Sequence, residues 1–210
     1  PHDAEILNLL GASLRELGDD AGAERAFHQA LALDPDRATT LTLLGIQASL
    51  QRRFDEASAW ADSALAVDPG FYDAYVSRGF ARLFLEDTAG ARADAAVASQ
   101  LPSGSHVSDQ TLAVLLEAHE HQVPAARNRV ARILRAVDLR RPSPFEGSLV
   151  AGALVAIGDS QRALDVLERV QPRGAALWFW LRFPQFDAVR SQRRFLHVLA
   201  EAQPATVSRR

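Results

Sequence analysis

Apolar residues at helical spacing fill the first third of the chain, and short polar breaks interrupt them at regular intervals. Ile6, Leu7, Leu10, Leu14 and Leu17 recur every three or four positions, which predicts an amphipathic helix. Gly18-Asp19-Asp20 then breaks the pattern and restarts it, and Ala23, Phe27, Ala30 and Leu31 form the stripe of a second helix. In the next stretch Asp55 is the expected N-cap, with Phe54 before it as a staple residue. Ser108-Asp109 predicts the start of a helix reaching about His121, and Pro124 suits the first turn of one reaching about Val137. RRPSP (140–144) reads as a connector. A further helix runs to Gly158-Asp159, and Ala163, Leu164 and Leu167 line its partner.

The breaks are periodic. ALALDP at 30–35 returns as ALAVDP at 64–69, an offset of 34 residues. Leu10-Gly11 recurs as Leu44-Gly45 and as Arg78-Gly79; Ala23 recurs as Ala57 and Ala91, and Ala30 as Ala64 and Ala98. Asp34-Pro35 recurs as Asp68-Pro69, then as Pro102 one residue early. A Gly facing an Ala lets two helices approach closely, because neither projects beyond Cβ. A Pro after an apolar helix end stops the helix and turns the chain into the next one. A fixed period of this length marks stacked helical repeats.

On these residues the chain resembles the tetratricopeptide repeat family. The carriers are Gly11, Gly45 and Gly79, Ala23, Ala57 and Ala91, Ala30, Ala64 and Ala98, Phe27, Pro35 and Pro69. Leu7 and Leu41 stand where the family usually has Trp, and Arg78 where it has Leu. The resemblance implies an all-α fold, a right-handed superhelical solenoid of about five antiparallel helix pairs closed by a C-terminal aromatic segment. The expected organisation is three regular units over 1–103, two degenerate helix pairs over 104–172, and capping helices with the tail over 173–210.

The tail is WFWLRFPQFDAVRSQRRFLHVL, residues 178–199. Trp178, Phe179, Trp180, Phe183, Phe186 and Phe195 gather there, and a solenoid's last repeat needs its apolar end closed. The alternative is an exposed aromatic patch for docking or self-association. Phe186-Asp187, Arg190 and Arg194-Phe195 are also similar to tails that close such repeat regions in bacterial multidomain signalling regulators. That likeness implies an effector domain ahead of Pro1. The chain begins Pro1-His2 and has no methionine, so a fragment of a longer protein is expected.

Composition adds exclusions. There is no cysteine, hence no disulfide and no thiolate metal site. All 23 basic residues are arginine. The longest apolar run, SLVAGALVAIG (148–158), is too short to span a bilayer. Residues 1–100 hold 8 Arg against 16 acids and residues 101–210 hold 15 Arg against 10, so the halves carry opposite charge. His119 and His121 point to different faces of the expected helix, and Glu117 with His121 lacks a third ligand, so no metal is expected. GASLRELGD lacks the Lys and preceding strand of a phosphate loop, and no nucleophile–base pattern is readable. The reading is therefore no enzyme and no cofactor. Arg127, Arg129, Arg132, Arg135 and Arg140-Arg141 form the densest basic run, without stacking aromatics, so nucleic acid is not an expected partner.

In the family, the first helix of each pair lines a groove that takes a peptide or helix. Carried onto this sequence, the groove positions are Glu5, Asn8, Ala12 and Arg15, then Thr39, Thr42, Ile46 and Ser49, then Asp73, Val76, Phe80, Leu83 and Phe84. The partner-binding candidates are Asn8, Arg15, Thr42, Ile46, Asp73, Phe80, Leu83 and Phe84. Only Asn8 fits the clamp that holds a C-terminal carboxylate. The expected partner is a protein or peptide with an apolar centre and basic flanks. Self-association through the aromatic tail, into a homo-oligomer, is the alternative, and direct membrane insertion is not expected. A cytoplasmic location is favoured, against an extracytoplasmic arm of a membrane regulator.

Overall fold

The computed structural model describes residues 2–102 and 106–205, and among these all regular structure is helical. The chain divides into two compact units, residues 1–104 and 105–210. In the first, α1 (His2–Glu16), α2 (Asp20–Leu33), α3 (Ala38–Leu50), α4 (Phe54–Val67), α5 (Tyr72–Phe84) and α6 (Thr88–Ala98) pack as three consecutive pairs. Each pair also leans on the next, α2 against α3 and α4 against α5.

The turn inside each pair has one geometry. Gly18, Arg52 and Glu86, spaced by 34 residues, all adopt left-handed backbone with φ of 83°, 60° and 64°. One residue later the helix cap differs. Asp19 accepts from the Gly22 N–H at 3.0 Å, and Asp87 from the Gly90 N–H at 2.9 Å. An ideally placed Cβ on Gly22 or Gly90 would meet that carboxylate at 2.3 or 2.1 Å, so another residue there would require the Asp side chain to shift. The middle repeat swaps both residues. Arg53 occupies the cap position without capping and instead binds Glu56, one turn on, and Glu24 at 2.9 Å. Asp55 is consequently inside the first turn rather than at the N-cap, where its negative charge meets the positive end of the helix dipole.

The glycines at the start of the repeat do not all face alanine. A Cβ on Gly11 would sit 2.5 Å from the Phe27 ring, so the missing side chain makes room for that ring, which is wholly buried. Gly45 does approach the second helix of its pair: a Cβ there would sit 3.2 Å from the Ala57 carbonyl oxygen. Phe27 and Ala23 then pack on Leu44 of the following pair. Trp60 touches this cluster and its two neighbours, and its Nε1 donates to Glu56 at 3.2 Å.

The second unit holds α7 (Val107–His119), α8 (Val123–Ala136), α9 (Pro144–Ala156), α10 (Ser160–Leu167), α11 (Ala175–Leu181), a 3-10 turn (Pro184–Val189) and α12 (Arg193–Ala202). Helix α9 is its centre: every residue from Gly147 to Val155 is buried, and α7, α8, α10 and α11 all pack on it. An all-round apolar helix needs such an enclosed place. Ser143 caps it, accepting from the Glu146 N–H at 3.2 Å, and Asp159 caps α10 at 3.3 Å from the Arg162 N–H. Helix α7 starts earlier than Ser108-Asp109 suggests. Burial of Val107 draws that residue into the first turn, and the Asp109 carboxylate meets His106 Nδ1 at 3.0 Å instead of capping. The same helix stops at His119, and His121 takes the left-handed turn position with φ 60°.

Candidate docking face

The first helices of the three pairs in unit 1 present corresponding positions 34 residues apart, and each class of position has one environment. Glu5, Thr39 and Asp73 are exposed. Asn8, Thr42 and Val76 are buried, at 6%, 3% and 9% exposure. Ala12, Ile46 and Phe80 are half-buried, and Arg15, Ser49 and Leu83 are buried again. Only the first and third rows therefore meet solvent. Asp73 and Phe80 are seven residues apart, two helical turns, so they share one side of α5.

The buried candidates have work inside the fold. Asn8 Nδ2 donates to Thr40 Oγ1 at 2.8 Å, tying α1 to α3. The Arg15 guanidinium lies 5.6 Å from the Phe27 ring centroid, a desolvated cation–π contact. Thr42 and Leu83 sit within the helix packing. Phe84 stacks on Phe54 with ring centroids 5.1 Å apart, which joins α5 to the start of α4. Ile46, Phe80 and Asp73 remain at the surface. The Asp73 side chain reaches water, yet its crowded surroundings desolvate it and raise its pKa above the ordinary carboxylate value.

Residues 4–37 match the sequence model of the tetratricopeptide repeat, which takes in α1, α2 and the turn after them. Solved structures with the same fold span nearly the whole chain. A thermophilic TPR protein of Thermus thermophilus, TTC0263, is 17% identical over 94% of this chain and 99% of its own, with a TM-score of 0.67. Residues 4–37 thus match one tetratricopeptide repeat, and the chain has the fold of TPR proteins. PilW, a type IV pilus biogenesis factor, is similar at 18% identity, covering 96% of this chain and 88% of its own, with a TM-score of 0.63. YrrB, described as a TPR protein with an unusual peptide-binding site, is 16% identical over 93% and 91%, with a TM-score of 0.52.

Elsewhere in the chain the other candidates have structural partners. Glu117, buried, receives Arg129 Nη2 at 2.7 Å and so is not free to join His121. Among the described residues no group of three His, Asp or Glu is placed to hold a metal, and no helix is long and apolar enough to cross a membrane. Of the tail aromatics, Phe179, Phe186 and Phe195 are buried, the last two with ring centroids 5.6 Å apart. Trp178, Trp180 and Phe183 are half-buried, with Arg182 4.6 Å over Trp178 and Phe183 stacked on Trp180. Sequence reasoning missed the ion network Asp62–Arg78–Asp94–Arg82 joining α4, α5 and α6. Its signal was Arg78 standing in a position that is Leu in the two other repeats.

Proposed function

We propose that this TPR protein is a non-catalytic docking scaffold that holds a peptide or helix of a partner protein against α1, α3 and α5. The observation that carries the reading is the periodic row Ala12, Ile46, Phe80: side chains that grow in size along the unit, half-exposed, and flanked by a row ending in Asp73. The Asp73 carboxyl is desolvated and has no hydrogen-bond partner among the described residues, so a basic group on a ligand would relieve it. An apolar segment with a basic flank fits both features, burial on Phe80 and Ile46 supplying affinity and charge supplying orientation. YrrB's peptide-binding site, on a similar fold, supports the choice of a peptide ligand. The tail pattern Phe186-Asp187, Arg190 and Arg194-Phe195 supports a place as the docking or sensing region of a larger bacterial signalling protein.

The test is selection of peptides from a displayed random library on the wild-type chain, followed by measurement of their binding to Phe80→Glu. The expected result is apolar sequences with Lys or Arg beside them, binding lost in Phe80→Glu and unchanged helicity by circular dichroism. Equal binding to the variant would place the site elsewhere.

A further inference from the structure

Helix α8 carries four arginines and no acidic residue. Arg129 is consumed by α7: it donates to Glu117 and, through Nη1, to Gln110 Oε1 at 2.9 Å. Arg127 and Arg135 face another way. With Arg162 of α10 they rim a cleft of about 710 Å³ whose floor is Val130, Leu134 and Ile157. That volume lies in the range of ordinary ligand sites. The turn at Gly158, with φ 80°, opens one wall, since no Cβ projects there.

The charge in this cleft is not balanced. Its one carboxylate, Asp159, is occupied as the α10 cap and lies 3.5 Å from Arg162 Nη1. Arg135 Nε donates only to the Ala131 carbonyl of its own helix, at 3.0 Å. Arg127 has no hydrogen bond or ion pair among the described residues. Three guanidinium groups thus surround an apolar floor with a single, engaged counter-charge.

We propose that this cleft docks an acidic, leucine-containing segment of a partner protein, independently of the face on unit 1. The spacing of the rims suits a segment with more than one acid. Arg127 and Arg135 are eight residues apart, so their Cα atoms lie about 12 Å apart along the helix. Acids about four positions apart on an extended chain span about 13 Å, so one segment can offer a separate carboxylate to each rim. The floor selects protein over nucleic acid: the lining has apolar aliphatic side chains and no aromatic on which a base would stack.

Fluorescence anisotropy with a fluorescein-labelled peptide of alternating glutamate and leucine, titrated with the full chain, tests the proposal. The glutamate peptide is expected to bind, and its glutamine counterpart not to. Arg127→Glu is expected to weaken binding about tenfold or more, while Arg25→Glu, the same charge change on an exposed position of α2, leaves it within about twofold. The assignment would be overturned by no binding of the glutamate peptide, by equal losses in the two variants, or by displacement of the peptide by an equal concentration of oligothymidylate. Inorganic phosphate competing at the peptide's own concentration would equally overturn it, in favour of a small-anion site. Arg127 is exposed and unpartnered, so the substitution leaves the fold in place, which circular dichroism verifies.

Discussion

Arg78 sets its Nε 3.1 Å from each carboxylate oxygen of Asp94, and its Nη2 donates to Oδ1 at 2.6 Å. Asp94 is 2% exposed, so its charge is compatible with the fold only because arginines enclose it. Arg82 Nη1 supplies a further bond at 2.9 Å, and Arg78 Nη1 reaches Asp62 on α4 at 2.6 Å. Burial by itself would lower the Arg78 pKa; the hydrogen bonds from Asp94 and Asp62 outweigh it and leave the pKa raised. At this position the last repeat of unit 1 is thereby fastened by charge, where Leu44 of the preceding repeat makes apolar contact.

Removing one partner should expose that dependence. Asp94→Ala leaves Arg78 partly buried with Asp62 alone and is expected to cost about 1–3 kcal/mol of unit 1 stability. Adding Arg78→Leu, the residue found at the equivalent positions 10 and 44, should recover most of the loss. Urea unfolding followed through Trp60, the one tryptophan in residues 1–104, reads both variants. A double variant as unstable as the single one would mean that the charge network is not the source of the loss.

The left-handed turn residue gives a prediction of opposite sign. Glu86 holds φ 64° where the first repeat has Gly18 at 83°. An L-residue there carries a steric cost of roughly 1–2 kcal/mol, and glycine removes it at the cost of a more flexible unfolded chain. Glu86→Gly should therefore stabilise unit 1 by about 0.5–1 kcal/mol. The Glu86 side chain is exposed, and an unchanged or lowered urea midpoint would contradict the assignment of strain to this turn.

These two sites show where sequence reading succeeds and where it stops. The helix pairs were legible because Pro35, Pro69 and the Gly and Ala positions do their work through backbone and size, which residue type states directly. The turns at 52 and 86 were not, since Arg and Glu there adopt the conformation that Gly18 advertises. The docking face was legible as a set of positions, not as a surface. Spacing places Asn8, Ala12 and Arg15 on one side of a helix, but burial by α3 and Phe27 decides which of them meets solvent. The same limit applies to apolar positions: Leu44 is 3% exposed beneath the preceding repeat, while Leu10, its equivalent in α1, is 48% exposed.

In the second unit, pH should act through Glu168. Arg194 donates to it through Nε at 2.7 Å and Nη2 at 2.8 Å, while Nη2 also serves Asp165 at 2.6 Å, so one guanidinium clasps α10 to α12. The Arg194 hydrogen bonds hold the Glu168 carboxyl below its ordinary pKa. A depressed carboxylate contributes stability that is fully present above the unfolded-state value of about 4.3 and is lost as pH falls through the folded value. Glu168→Gln should therefore destabilise unit 2 at pH 7, and the gap to the wild type should close as the medium is acidified below about 4.3. Both side chains are more than a third exposed, so solvent screening limits the difference at pH 7 to about 0.5 kcal/mol. Trp178 and Trp180 report unfolding of this unit. A gap between variant and wild type that stays the same at pH 7 and pH 3 would show that Glu168 acts by packing rather than by charge.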